Sequence, residues 1–418
     1  WLRLIRLGSS SLHFEKVMKG TAFHERTKRL NLSTAWFGWG EYIIPDIYTN
    51  LETELSAIRS SVAVIDMSPL PKFDIEGPDA VPMVNSLITR NLDSSKIGRA
   101  LFTPACNDDG KLICDGLIFF LSNNHIRYCS DNVFDWFQDH IGSFDVTLTD
   151  TTHNFGLLSL QGPCSKHVLD AATKAPVADL KFGGIAFGEI AGVSVMVVRQ
   201  GFTGAFGYEL WVDTKDGLTV WDAIMEAGTA FGIEPAGEYA ADIARVEAGF
   251  PLISTDYAGS GPDLFSSNIS VNLEHSANPY EMGFGQFVDL DKANFVGRQA
   301  LLQLAKEQDT SKTIVGLEFD LTTVREAHSA KKLSPNISSR VRWNPLDVVF
   351  EGQTVGRATS VTWSPTTNSL IGFGHLPQEL AKLGEAVRVL WCDECGNELG
   401  IVTANVVDMP FIRKGNRG

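Results

Sequence analysis

The sequence predicts a mixed region of interleaved helices and strands over residues 1–305 and an all-β unit, a small barrel or sandwich, over 306–418. Three observations lead there. Up to about residue 305, short apolar strands and amphipathic helices alternate, with no internal repeat or low-complexity tract. Beyond it the apolar runs Val315-Gly-Leu-Glu-Phe319, Asp347-Val-Val-Phe350, Glu385 to Leu390 and Leu399 to Val407 are short and separated by turns. Between the two textures lies the polar stretch Lys306 to Thr313.

The elements follow from spacing. Leu51, Leu55 and Ile58 recur at helical intervals within Asn50 to Ser61, and Val62 to Ile65 then reads as a buried strand. Phe73-Asp-Ile-Glu-Gly-Pro ends in a turn before a helix over Asp79 to Ile88. Leu112 to Leu121 and His125 to Cys129 read as paired strands, and Val133 to Ile141 as a short helix with an aromatic inner face. Leu157 to Leu160 is a strand closed by Gln161-Gly-Pro163. Val193 to Arg199 and Tyr208 to Val212 flank a loop with glycines at 201, 204 and 207, and Leu218 to Gly232 has helical periodicity.

Composition narrows the function. With 44% hydrophobic and 20% charged residues the chain is ordinary globular protein, long enough for two or three packed units. A net charge of −15 argues against polyanionic nucleic acid or an anionic membrane surface as partner. No run approaches the roughly 20 apolar residues that span a bilayer. The basic, amphipathic Trp1-Leu-Arg-Leu-Ile-Arg-Leu7 lacks the apolar core and cleavage site of a secretory signal. It reads as a helix, an added leader or the end of a trimmed transit peptide. Six scattered cysteines suggest no disulfide scaffold, and Cys392-Asp-Glu-Cys395 reads as a hairpin tip, since no second pair or nearby histidine completes a zinc site. No metal and a reducing, cytoplasmic compartment are the expectations.

A set of ordered motifs carries a family resemblance: Glu54-Leu-Ser-Ala-Ile-Arg59, Val64-Ile-Asp-Met-Ser68, Ile75-Glu-Gly-Pro-Asp-Ala80, Leu160-Gln-Gly-Pro163, Gly201-Phe-Thr-Gly-Ala-Phe-Gly-Tyr-Glu-Leu210, Arg245-Val-Glu-Ala-Gly249 and Phe295-Val-Gly-Arg298. Together they resemble the glycine-cleavage T-protein superfamily, from about residue 35 to Met409-Pro-Phe411. The resemblance implies a split folate-binding part, made of two interleaved α+β subdomains, followed by a C-terminal β barrel. Cys114-Asp-Gly-Leu-Ile-Phe-Phe120, Asn278-Pro-Tyr-Glu-Met-Gly-Phe-Gly285 and an insertion over about Tyr257 to Ala277 resemble the aryl methyl ether demethylases of the superfamily. Three positions depart from them. Ala241 stands where those enzymes carry a catalytic tyrosine, Tyr239 lying two residues earlier. Ser130 replaces an arginine that pairs with the substrate carboxylate, and Phe250 replaces a tryptophan.

The resemblance assigns roles that chemistry makes reasonable. A pterin edge offers a ring N–H and an exocyclic amine, which a carboxylate such as Glu209 receives as two parallel hydrogen bonds. Glycines let the backbone approach a flat ligand. Asp115, alone in an apolar strand, is costly there unless paired or functional, and it matches the family carboxylate near the reacting folate nitrogen. Gln161 offers the pterin a donor and an acceptor, or stabilises its own turn. Phe202 and Phe250 stack on folate or fill core. Tyr239 and His275 are candidate acids or bases, although an isolated histidine is more often a surface group, as is His153. Trp39, Tyr42 and Tyr257 line an aromatic substrate pocket.

The expected cofactor is tetrahydrofolate and the expected partner a small methyl donor, a methoxy-aromatic acid. N5 would take its methyl in line, giving 5-methyltetrahydrofolate and a phenol. The alternative is transfer of an amine-bound carbon, giving 5,10-methylenetetrahydrofolate. A non-catalytic folate-binding role in cluster assembly is disfavoured, since Asp291 to Gly297 lacks the cysteine of those proteins.

Overall fold

The computed structural model describes residues 18–130, 133–259, 277–307, 311–334, 337 and 340–412. The N-terminal segment, most of the 257–277 insertion and His275 lie outside the described residues. No helix among the described residues is long and apolar enough to cross a membrane.

Strand β1 (Lys19–Gly20), helix α1 (His24–Leu30) and the hairpin β2 (Ala35–Trp39) and β3 (Tyr42–Ile47) come first, the strands forming a small sheet ordered β1-β3-β2. Helix α2 (Leu51–Ser60) begins where the side chain of Asn50 accepts from the Thr53 amide, satisfying one donor of its first turn. It buries Leu55 and Ile58, the apolar spacing that announced it, together with Ala57. The buried carboxylate of Glu54 accepts from the amides of Tyr48, Thr49 and Gly237, so its motif ties α2 to two loops.

The chain then moves between two sheets. After β4 (Val62–Asp66) it leaves for β5 (Lys72–Glu76), α3 (Ala80–Leu87), β6 (Arg99–Cys106), β7 (Leu112–Ser122), β8 (His125–Ser130), α4 (Phe134–Asp139) and β9 (Thr147–Asp150). These strands make a five-stranded sheet ordered β6-β7-β8-β5-β9. It returns beside β4 with β10 (Phe155–Gln161), α5 (Ser165–Ala172), β11 (Ile185–Ile190), β12 (Val193–Val198), β13 (Gly207–Asp213), α6 (Gly217–Gly228) and β14 (Ile233–Ala236). The resulting six-stranded sheet is ordered β11-β12-β13-β10-β4-β14.

One face of that sheet packs with Val168, Leu169, Val220, Trp221 and Ile224 of α5 and α6. The opposite face supplies Leu157, Met196, Val198 and Trp211 to a core with Ala100, Phe119 and Cys129 of the five-stranded sheet. The two sheets therefore meet face to face.

Helices α7 (Glu238–Glu247) and α8 (Arg298–Glu307) lead to a closed barrel. Its strands are β15 (Lys312–Phe319), β16 (Leu346–Phe350), β17 (Gln353–Ser364), β18 (Ser369–Pro377), β19 (Ala386–Cys392) and β20 (Glu398–Val407), in the order β15-β18-β17-β16-β19-β20. The all-β expectation for this part needs one correction. Helix α9 (Leu321–Ala330) interrupts it, capped where the Asp320 side chain accepts from the Thr322 amide and buried through Val324, Ala327 and His328. Cys392 and Cys395 lie at the turn between β19 and β20, and all six cysteines are free thiols.

Candidate functional site

Strand alternation aims two carboxylates into the space between the sheets. The β6–β7 register runs unbroken from Arg99 opposite Phe120 to Ala105 opposite Cys114. Asp115 therefore shares a strand face with Leu117 and Phe119, which pack in the inter-sheet core. On β13, Glu209 shares a face with Trp211 of the same core and sits opposite Ser159 and Val198.

Glu209 is 8% exposed. Its Oε2 accepts from Gln200 Nε2 (2.6 Å) and Trp211 Nε1 (3.3 Å). Among the described residues no hydrogen bond falls on Oε1. Burial pushes the carboxyl up to about 7, against the pull of those two donors and of the Lys72 ammonium. Lys72 is itself held down to about 8 by burial; it lies 5.7 Å from the Trp211 ring and donates to the Ser68 carbonyl (2.9 Å).

Asp115 keeps an edge open while its carboxyl is enclosed, and burial raises it to about 6. The hydroxyl of Tyr257 donates to its Oδ1, and this bond and its own backbone amide work against the rise. Ser130 donates from Oγ to the Asp115 carbonyl oxygen (2.5 Å), so it serves the strand at the position where a carboxylate-pairing arginine was sought.

The glycine-spaced loop has a different use from the one expected. A Cβ at Gly201 would lie 2.0 Å from Gln161 Oε1, and one at Gly207 2.4 Å from its Nε2. The room the glycines create is filled by the Gln161 amide. That side chain has no exposure; Nε2 donates to the Gln200 carbonyl (3.1 Å) and Oε1 accepts from Thr203 (3.0 Å). Gln161 thus braces the loop that carries Gln200 to Glu209.

The remaining expected site residues spread apart. Tyr257 is buried against Asp115 instead of lining an open pocket. Tyr42 turns its hydroxyl to His153 Nδ1, while His153 Nε2 meets Glu41 (2.9 Å); Trp39 faces Tyr42 across the β2–β3 hairpin. Tyr239 lies 4.7 Å beneath the Arg340 guanidinium, beside the Arg340–Asp46 and Arg340–Glu238 ion pairs. Phe202 packs on the main core, and Phe250 is 39% exposed, its carbonyl accepting from Arg245.

Three neighbours of Glu209 escaped sequence reasoning: Gln200, Lys72 and Trp211. Trp211 was accessible, standing two residues after Glu209 and so on the same face. Lys72 and Gln200 arrive through strand pairing and loop closure, which no local pattern reports.

Known proteins bear on this arrangement. Residues 23–264 match the GCVT N-terminal domain family and residues 338–412 the glycine cleavage T-protein C-terminal barrel domain. The chain is 30% identical over 401 residues to an aminomethyltransferase of Halothermothrix orenii, covering 94% of this chain and all of that protein. It is 30% identical over 402 residues to an aminomethyltransferase of a Thermotoga species, covering 95% and 98%. The crystal structure of glycine cleavage system aminomethyltransferase T from Bartonella henselae superposes with a TM-score of 0.77 at 19% identity, over 95% of this chain and 99% of that one, a likeness of fold.

Proposed function

This chain belongs to the glycine cleavage T-protein family and is a tetrahydrofolate-dependent one-carbon transferase, and on that premise we propose that its donor carries the carbon on an amine nitrogen. The observation that carries the reading is Asp115. A carboxylate enclosed among apolar strands, partnered by the neutral Tyr257 hydroxyl and a backbone amide, has its negative charge left for a cationic ligand group. An amine nitrogen supplies that charge; a methoxy-aromatic acid would bring a second negative one. The relatives' name, aminomethyltransferase, supports the same choice. We therefore place the amine donor ahead of the methoxy-aromatic one expected from the β7 motif and the insertion, since Ser130 offers no cation for an aromatic carboxylate.

In this reading Glu209 receives the pterin edge, through Oε1 and the remaining lone pair of Oε2, and so aims N5 at the donor carbon. For a donor X–CH2–NH2, N5 attacks the methylene carbon and N10 closes the ring. The C–X and C–N bonds break, and the protons from N5 and N10 leave on HX and ammonia. The product is 5,10-methylenetetrahydrofolate, with no redox partner required. Asp115 holds the cationic amine of the bound donor and stabilises the positive charge that develops on N5 as the new C–N bond forms, worth more in this enclosed setting than in water.

Product analysis tests the proposal. Tetrahydrofolate is incubated with aminomethyl thioethers and, separately, with methoxybenzoates. The expected product is 5,10-methylenetetrahydrofolate from the first set alone. Formation of 5-methyltetrahydrofolate with release of a phenol would overturn it.

A further inference from the structure

We infer that Tyr257 is a positioning residue for Asp115, held in place by the C-terminal barrel through Asp256. The inference rests on the reading above, in which Asp115 acts as an anion beside the transferred carbon.

Tyr257 is 2% exposed, and its hydroxyl donates to one oxygen of Asp115. Its ring stands edge-on to Phe284, with centroids 6.2 Å apart. These contacts fix both the reach and the tilt of the phenol. The backbone that presents it is closed on itself, because the Ser254 amide donates to the Tyr257 carbonyl (2.8 Å) and the Asp256 amide to the Leu252 carbonyl (2.7 Å).

The next residue back anchors this turn. Asp256 is 1% exposed; its Oδ2 accepts from Arg245 Nη1 (2.6 Å) and the Leu252 amide (2.7 Å), and its Oδ1 from the Ser360 hydroxyl (2.5 Å). Arg245 also donates to Ser360 Oγ (2.8 Å) and to Asp242 (2.8 Å). Ser360 belongs to β17, where the register with β18 slips between Thr359 and Thr362 and the backbone reaches φ +49°. Such a bulge re-aims a side chain out of the regular alternation. Here it delivers a barrel hydroxyl to the carboxylate beside Tyr257. The chain of contacts runs Ser360, Asp256, Tyr257, Asp115.

The consequence is electrostatic as well as geometric. Among the described residues, the titratable groups acting with the Asp115 carboxyl are Tyr257 from the turn and, more weakly, Tyr128 from β8. Tyr257 stabilises the ionised form that burial disfavours.

The test compares wild type, Tyr257→Phe and Ser360→Ala. Aspartate carboxyl carbons are labelled with 13C and titrated by NMR, the Asp115 signal being assigned by its loss in Asp115→Asn. Tyr257→Phe is expected to raise the Asp115 midpoint by about one pH unit, the size of losing one hydrogen bond to a charged group. Ser360→Ala should move it in the same direction by less. With an aminomethyl thioether, kcat of Tyr257→Phe should fall about twofold at pH 7 and about ninefold at pH 5, as a midpoint moved from about 6 to about 7 requires, while KM for tetrahydrofolate stays within about twofold. A lowered melting temperature with an unmoved Asp115 midpoint would reduce Tyr257 to a packing residue and overturn the inference. Should Tyr257→Phe fail to fold, the Ser360→Ala titration decides by the same criterion. Full turnover by Asp115→Asn would instead sink the functional reading, and so separates the two failures.

Discussion

Arg59 of α2 places two guanidinium hydrogen bonds, 2.9 and 2.6 Å long, on a single carboxylate oxygen of Glu247 of α7, although 188 positions separate the two in the chain. Glu247 is fully buried, and its carboxylate also accepts from Ser364 and Thr366 at the barrel. Two motifs that carry the family resemblance therefore meet in one junction between α2, α7 and the barrel. Arg59→Ala removes the charge partner of a buried carboxylate. The expected loss is about 3 kcal/mol, at the lower end for breaking a buried pair because the two hydroxyls remain. Urea denaturation measures it; a loss below about 1 kcal/mol would mean that the hydroxyls alone hold Glu247.

The glycine loop yields a paired prediction. At Gly201 the obstacle to a Cβ is the Gln161 amide, which can move if its bonds are given up; at Gly207 it is also the Leu160 carbonyl oxygen, 2.5 Å away, which cannot. Gly201→Ala should cost about 1–2 kcal/mol and Gly207→Ala about 3. In a Gln161→Ala background the first penalty should largely vanish and the second persist. Equal relief at both positions would contradict the geometry.

For ligand binding, Glu209→Ala should weaken tetrahydrofolate binding by about 1.5–3 kcal/mol, the range for hydrogen bonds to a charged group. Titration calorimetry under anaerobic conditions reads this directly. Unchanged affinity would remove Glu209 from the pterin site.

The same residue governs stability through pH. Its folded carboxyl titrates near 7, above its ordinary value of 4.5, so the folded state holds the proton more tightly than the unfolded chain. That contribution is fully present below about pH 4.5 and is lost as pH rises through 7. Glu209→Gln does not titrate. Without ligand, its stability relative to wild type should improve from pH 4.5 to pH 8 by about 3 kcal/mol at most. Melting curves across that range check the sign, and a variant that loses ground with rising pH would refute it.

Much of this was legible from local chemistry. Asn50 followed by Leu51, Leu55 and Ile58 specifies α2, and Asp115 declared itself as a carboxylate inside an apolar strand. Helix α9 was missed although Asp320 caps it and Leu321, Val324, Ala327 and His328 fall on one side, because β-branched threonines and flanking strands masked a short period. The site suffered where partners are distant in sequence. Tyr42 was assigned to a substrate pocket on its aromaticity, and strand pairing turned it to His153. Lys72 looked like an ordinary strand residue until folding brought it over Trp211. Residue type announces a group's chemistry, while its neighbours follow from non-local register.

Glu209 and Asp115 ride on different sheets, so the span between them is no property of either strand. The wedge that sets it is Phe119 against Trp211, met edge to face at 4.8 Å. These two rings act as a gauge block for the cleft. Trimming Phe119, which bonds neither acid, would keep the Trp211 bond to Glu209 and still mis-set the gap, so that a ligand graded by length would be refused by a residue it never touches.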